Sequence, residues 1–156
     1  MRNALLFGGL ALVLAAVNVS VVRKEALLRN GGVVLVELAP VDPRSLIQGD
    51  YMRLDYALAR SADASWPRNG RMVVRLDERN IARFVRRHEG ESLAAGERLV
   101  QYRRRSGRVR VGSDAFFFQE GHASRYADAR YGELRVDASG GSVLVGLRDA
   151  ELRPLQ

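Results

Sequence analysis

Cysteine is absent from all 156 residues. That removes disulfide staples, thiolate nucleophiles and cysteine-built metal sites together, and a chain of this length can bury a core without them. Lysine is nearly absent: Lys24 is the only one, so the remaining side chains in the Lys+Arg total of 25 are arginines. Histidine is limited to His88 and His122, tryptophan to Trp66, and proline to four residues. The formal charge of +7 invites a nucleic-acid partner. The arginine skew, however, reads as a compositional bias and not as a selected phosphate-binding surface, so no nucleic-acid partner is expected. A solvated surface with mild attraction to anionic headgroups fits the same charge.

One stretch lacks charge altogether. Asn3–Val22 carries no ionisable side chain and is bracketed by Arg2 and by Arg23-Lys24. Twenty helical residues rise about 30 Å, the thickness of a bilayer's hydrocarbon core. The expectation is a transmembrane helix that contacts the lipid bilayer through residues 3–22. A cleavable signal peptide is the rival reading, with Val13-Leu14-Ala15 as a processing site; apolarity that continues to Val22 favours the anchor. Positive charge on both flanks leaves the positive-inside rule nearly silent. The short segment before the anchor favours export of the rest, giving a single-pass protein of the bacterial inner membrane with a periplasmic domain.

Arg23–Asn30 continues the helix, and Asn30-Gly31-Gly32 stops it. The chain therefore divides into residues 1–30, anchor and juxtamembrane extension, and residues 31–156, a soluble domain. Val33–Leu38 reads as a strand. Within Tyr51–Tyr56, the set Tyr51, Arg53, Asp55 alternates with Met52, Leu54, Tyr56, a two-residue period that separates two faces. Strands are also expected over Arg71–Leu76 and Ile81–Arg87. A hairpin joins Arg98–Arg104 to Arg108–Val111 around Ser106-Gly107. Arg103-Arg104-Arg105 with Arg108 and Arg110 forms the densest basic patch, read as a polar sheet edge that discourages aggregation. Asp114 is expected to cap a helix from Phe116 to about Asp128 that covers the sheet. A last hairpin pairs Tyr131–Asp137 with Ser142–Arg148, setting Leu134 and Val136 towards Val143, Val145 and Leu147. The fold class is mostly β (α+β): an N-terminal transmembrane helix, then an antiparallel β-rich domain with one covering helix.

Residues 49–56 read GDYMRLDY, preceded by Pro40-Val41-Asp42-Pro43-Arg44. This resembles the signature of the bacterial GDYXXLXY family, with Gly49, Asp50, Tyr51, Leu54 and Tyr56 at its five fixed positions. A second block, Phe117–Asp149, is similar to that family's C-terminal half, including Glu120-Gly121, Ala129-Arg130-Tyr131-Gly132-Glu133 and Leu147-Arg148-Asp149. The resemblance implies a membrane-anchored envelope protein without an assigned reaction, and a polytopic membrane protein as partner.

Chemistry is harder to assemble. Ser45 precedes Gly49-Asp50 on a β-rich, membrane-anchored chain, a layout similar to signal peptidases and related Ser/Lys proteases. The general base such a serine needs could only be Lys24, at the membrane edge before the domain begins. A hydrolase-like enzyme on that scaffold, using carboxylates, is therefore the alternative reading. His88-Glu89 and Glu120-x-His122 are too few for a typical zinc site, and no Gly-rich phosphate loop is present. No catalytic residue, metal site or cofactor is assigned. Asp42, Arg44, Asp50, Tyr51, Tyr56, Glu120, Arg130, Tyr131 and Glu133 are the candidate binding residues. Among them, Glu120 and Glu133 are expected to pair with Arg130 or Arg148. Tyr51, Tyr56, Tyr126 and Tyr131 with Trp66 could make a recognition surface, although strand tyrosines are more often core.

Overall fold

The computed structural model describes residues 2–39, 47–48, 51–62 and 65–155, with side chains from Leu6 onward and excluding those of 47–48. Helix α1 spans Arg2–Asn30, 29 residues, and so extends about 43 Å. Its side chains stay exposed along the apolar run. Two polar residues within that run, Asn18 and Ser20, turn back on the helix: Asn18 Nδ2 donates to the Leu14 carbonyl at 2.8 Å and Ser20 Oγ to the Ala16 carbonyl at 3.0 Å. Neither leaves its hydrogen-bonding group bare in an apolar medium. The last turn differs, because Leu27 is buried against the domain.

Eleven strands follow among the described residues: β1 Gly32–Glu37, β2 Ile47–Gln48, β3 Tyr51–Arg53, β4 Asn69–Leu76, β5 Ala82–Arg87, β6 Glu97–Arg105, β7 Arg108–Val111, β8 Ala115–Phe117, β9 Tyr131–Val136, β10 Ser142–Arg148 and β11 Pro154–Leu155. They form three sheets, ordered β1-β9-β10-β11, β2-β3-β8 and β5-β4-β6-β7. Every ladder is antiparallel. Backbone bonds stitch the sheets together. The Leu35 N–H donates to the Asn80 carbonyl at 2.9 Å, Leu54 N–H to Asp114 at 2.9 Å, and Gln101 N–H to Gly140 at 2.8 Å. One core results, with Val34, Met72, Val100, Tyr102, Val111, Leu134 and Leu147 at its centre.

The β-rich antiparallel class with one long N-terminal apolar helix holds. The two-residue alternation of the signature also holds: Met52, Leu54 and Tyr56 are buried while Arg53 and Asp55 are exposed. The covering helix over Phe116–Asp128 is corrected. Phe116 continues strand β8 opposite Met52. Phe116 and Phe118 both pack on Tyr126, at 5.0 and 5.2 Å, while Phe117 between them is 74 % exposed. That is the period of a strand, and Gly121 at φ +80 then turns the chain. A 3-10 turn at Ala123–Tyr126 is what remains of the helix. Asp114 caps nothing helical; its carboxylate pairs with Arg110.

The last hairpin needs a second correction. A bulge between Leu144 and Gly146 sets Leu144 opposite Leu134 and Leu147 opposite Gly132. The extra residue shifts the strand's phase, leaving Val145 40 % exposed and Leu147 only 1 %.

Candidate functional site

The signature enters the described residues at Tyr51, the first residue of β3. Its ring lies 5.7 Å from that of Phe117, its ladder partner, and it is half-buried. Asp42, Arg44 and Asp50 lie outside the described residues, as do Gly49 and Ser45.

Tyr56 is the most enclosed of the candidates, at 2 % exposure. It forms an antiparallel bridge with Leu38, and its ring faces two glycines from the second block's neighbourhood. A Cβ on Gly132 would lie 3.0 Å from Tyr56 Cε1, and one on Gly112 3.7 Å from Tyr56 Oη. The hydroxyl makes no hydrogen bond among the described residues. Burial, and then the charge of Asp114, push its pKa upward, so it stays protonated. The two family blocks thus meet, and they meet as packing: Tyr51 on Phe117 and Tyr56 on Gly132.

Glu133 and Arg148 stand on neighbouring strands and form the expected pair, with Arg148 Nε 2.7 Å from Glu133 Oε2. Arg148 Nη1 also donates to the Leu152 carbonyl at 2.6 Å. This ties the pair to the turn before β11, which Asp149 organises by accepting from the Glu151 and Arg153 amides at 3.0 and 2.8 Å and from Arg153 Nε at 2.7 Å. Burial opposes ionisation of Asp149, but these donors prevail and hold its carboxyl below the ordinary range. Tyr131 begins β9 between Glu37 and Arg148. Arg130 is exposed while its backbone bridges Arg148 and Leu38, at 2.8 Å each. Glu120 is exposed in a turn and forms no ion pair among the described residues. The structure therefore joins Tyr131, Glu133 and Arg148 on one sheet and leaves Glu120 apart.

Trp66 belongs to the core, not to a recognition surface. Its ring lies 4.9 Å from Tyr102 and 5.8 Å from Phe84. Tyr126 is likewise buried. His88 stands 3.5 Å from Glu91, and no group of three His, Cys, Asp or Glu able to hold a metal occurs among the described residues.

Sequence reasoning missed a carboxylate network on the third sheet. Glu97, its side chain 3 % exposed, receives Arg86 at 2.8 and 3.0 Å and lies 3.5 Å from Arg75. Arg86 Nε also reaches Glu91 at 2.9 Å. The Arg86 hydrogen bond, then the Ala94 amide, draw the Glu97 pKa down to about 2. For Glu91, backbone amides and then Arg86 do the same, to about 2. The cue was faint: Glu97 and Arg86 are eleven residues apart, on strands separated by β4.

A family model described as GDYXXLXY protein matches residues 13–147. Neither a curated protein nor a solved structure matches the chain.

Proposed function

This chain belongs to the GDYXXLXY protein family, and on that premise we propose that it is a single-pass, bilayer-anchored domain. It stands on the periplasmic face of the bacterial inner membrane and binds a membrane partner protein or envelope component, without catalysing a reaction on it.

The observation that carries this is the way α1 joins the domain. An apolar helix exposed along its length is stable when lipid or protein covers it. This one leads into the domain through a clamp instead of a free tether. Leu27 is buried, the Gly31 N–H continues the helix to the Leu27 carbonyl at 2.9 Å, and Arg135 Nη1 donates to the Gly31 carbonyl at 3.2 Å. A cation at a helix C-terminus also complements the carbonyl end of its dipole. A domain held this way keeps a fixed surface turned towards whatever lies beside the anchor. The two family blocks lend no support to the carboxylate-using enzyme, since Glu133 is tied to Arg148 and Tyr56 is packed inside.

Photo-crosslinking of the full chain in living cells, followed by recovery from membranes, should yield one specific membrane protein. Recovery of the chain alone would overturn the proposal. A reporter fused at Gln156 that works only in the cytoplasm would reverse the orientation, and a mature chain beginning at Ala16 would remove the anchor.

A further inference from the structure

The outer face of the sheet β5-β4-β6-β7 divides into two halves of unlike electrostatics. At the β5 end Arg75 stands directly opposite Arg83, but each has a carboxylate: Arg75 and Arg86 share Glu97, Arg86 reaches Glu91, and Arg83 lies 3.4 Å from Glu37. At the β7 end this lacing stops. Arg103 stands directly opposite Arg110, and Arg105 directly opposite Arg108. All four are exposed, and directly opposed residues in an antiparallel pair share a face about 4.5–5.5 Å apart at Cβ. Along each strand the rungs repeat at about 6.4–6.8 Å. Asp114, paired with Arg110, is the one carboxylate that joins this ladder among the described residues.

Two stacked like-charge pairs work against the hairpin that presents them. A bias towards arginine would not by itself give both members of the opposed pair Arg75 and Arg83 a carboxylate and leave Arg103, Arg105 and Arg108 without one among the described residues. Protection of an edge strand needs charge, but not two facing rows of it. The repulsion is relieved when an external anion sits between the rows, and the planar guanidinium fork suits carboxylates in bidentate contact.

We infer that this ladder, Arg103, Arg105, Arg108 and Arg110, is the docking surface for an acidic segment of a partner protein. The inference rests on the partner-binding role proposed above and assigns it a surface and a chemistry. Position in the fold favours a partner in the aqueous compartment over the headgroups around the anchor. The Arg98 guanidinium lies beside Gly32, where α1 ends. The ladder begins five residues further along β6 and continues to seven, about 17–23 Å away. That is two or more Debye lengths at physiological salt.

The test uses the purified full chain in phosphatidylcholine nanodiscs and a fluorescent octaglutamate peptide. Binding to the native chain should weaken as salt rises from 50 to 200 mM. It should fall at least tenfold in R103Q/R105Q/R108Q/R110Q, while R75Q/R83Q at the laced end stays within twofold. Removing the like-charge pairs should leave Tm unchanged or higher; if the quadruple variant does not fold, R105Q/R108Q should still lose threefold or more. Equal binding by native and variant chains overturns the inference. So does binding of polyphosphate or of phosphatidylglycerol nanodiscs to the ladder with none of octaglutamate. Crosslinking in cells separates the two levels. If the quadruple variant still captures the native chain's partner, the ladder is not the docking surface and the partner role stands. If neither captures a partner while octaglutamate binding is intact, the partner role falls and the carboxylate-binding surface stands.

Discussion

Tyr56 lies so close to Gly132 that a Cβ at position 132 would stand 3.0 Å from its ring Cε1. The ring is enclosed in the core at 2 % exposure, with its backbone bridged to Leu38 and its hydroxyl end beside Gly112. Gly132→Ala is therefore expected to destabilise the chain by about 1–3 kcal/mol, the usual cost of overpacking. The sign is informative, because a glycine-to-alanine change in uncrowded strand backbone stabilises by about 0.4–1 kcal/mol through the unfolded state. Urea unfolding of the full chain in detergent measures it. Increased stability would mean that the ring is not pinned.

The Tyr56 hydroxyl is buried without a hydrogen-bond partner among the described residues. A buried polar group in that state costs about 1–3 kcal/mol. Tyr56→Phe should thus leave stability unchanged or raise it within that range, in the same unfolding measurement. A loss of more than about 1 kcal/mol would mean that the hydroxyl is bonded in solution.

These two residues also mark how far the sequence could be read. The two-residue alternation of Tyr51–Tyr56, a local pattern, set Tyr56 on one face with Met52 and Leu54, the face that is buried. The contact of Tyr56 with Gly132 joins positions 76 residues apart, which periodicity does not encode. Phe116–Phe118 misled for a related reason. Apolar spacing at Phe116, Ala123 and Ala127 fits a helix, but pairing with β3 imposed a strand, a tertiary override of local preference. The phase of Leu144 to Leu147 was lost to a bulge, for which Gly146 inside the strand was the one local cue. For the candidate site, the Glu133–Arg148 pair was legible once the hairpin was recognised. The Glu97 network was not, because its members come from β4, β5 and β6 and their neighbouring loop.

Glu97 should give this domain an acid-sensitive component of stability. Its folded pKa lies near 2, below the ordinary value of 4.5, because of Arg86 and the Ala94 amide. The depressed carboxylate binds protons less readily in the folded state than in the unfolded one. Its contribution is therefore fully present above pH 4.5 and is lost as pH falls towards 2. Glu97→Gln is expected to lower Tm at pH 7, with the difference from the native chain narrowing across pH 4.5 to 2. Thermal melts of both chains through that range check it. A constant difference would place the loss in packing instead of charge.

The junction between anchor and domain provides the last test. Leu27 is the buried side chain of α1 among the described residues, whereas its neighbour Leu28 is exposed. If Leu27 locks the helix to the β9–β10 sheet, Leu27→Ala should raise the population in which the Asn30–Gly32 backbone is open. Truncating a buried leucine costs about 2–5 kcal/mol, and the lower figure alone increases an opening equilibrium roughly thirtyfold. Protease cleavage of the full chain in detergent follows that population when opening and closing outpace cutting. Cleavage at Gly31–Gly32 is thus expected to accelerate at least tenfold in Leu27→Ala and to stay unchanged in Leu28→Ala. The paired control matters, because both changes remove the same side chain from the same helix and differ only in what it touches. Equal cleavage of native and Leu27→Ala chains would mean that the domain swings freely on its anchor, and the fixed presentation of its surface to a membrane neighbour would be lost with it.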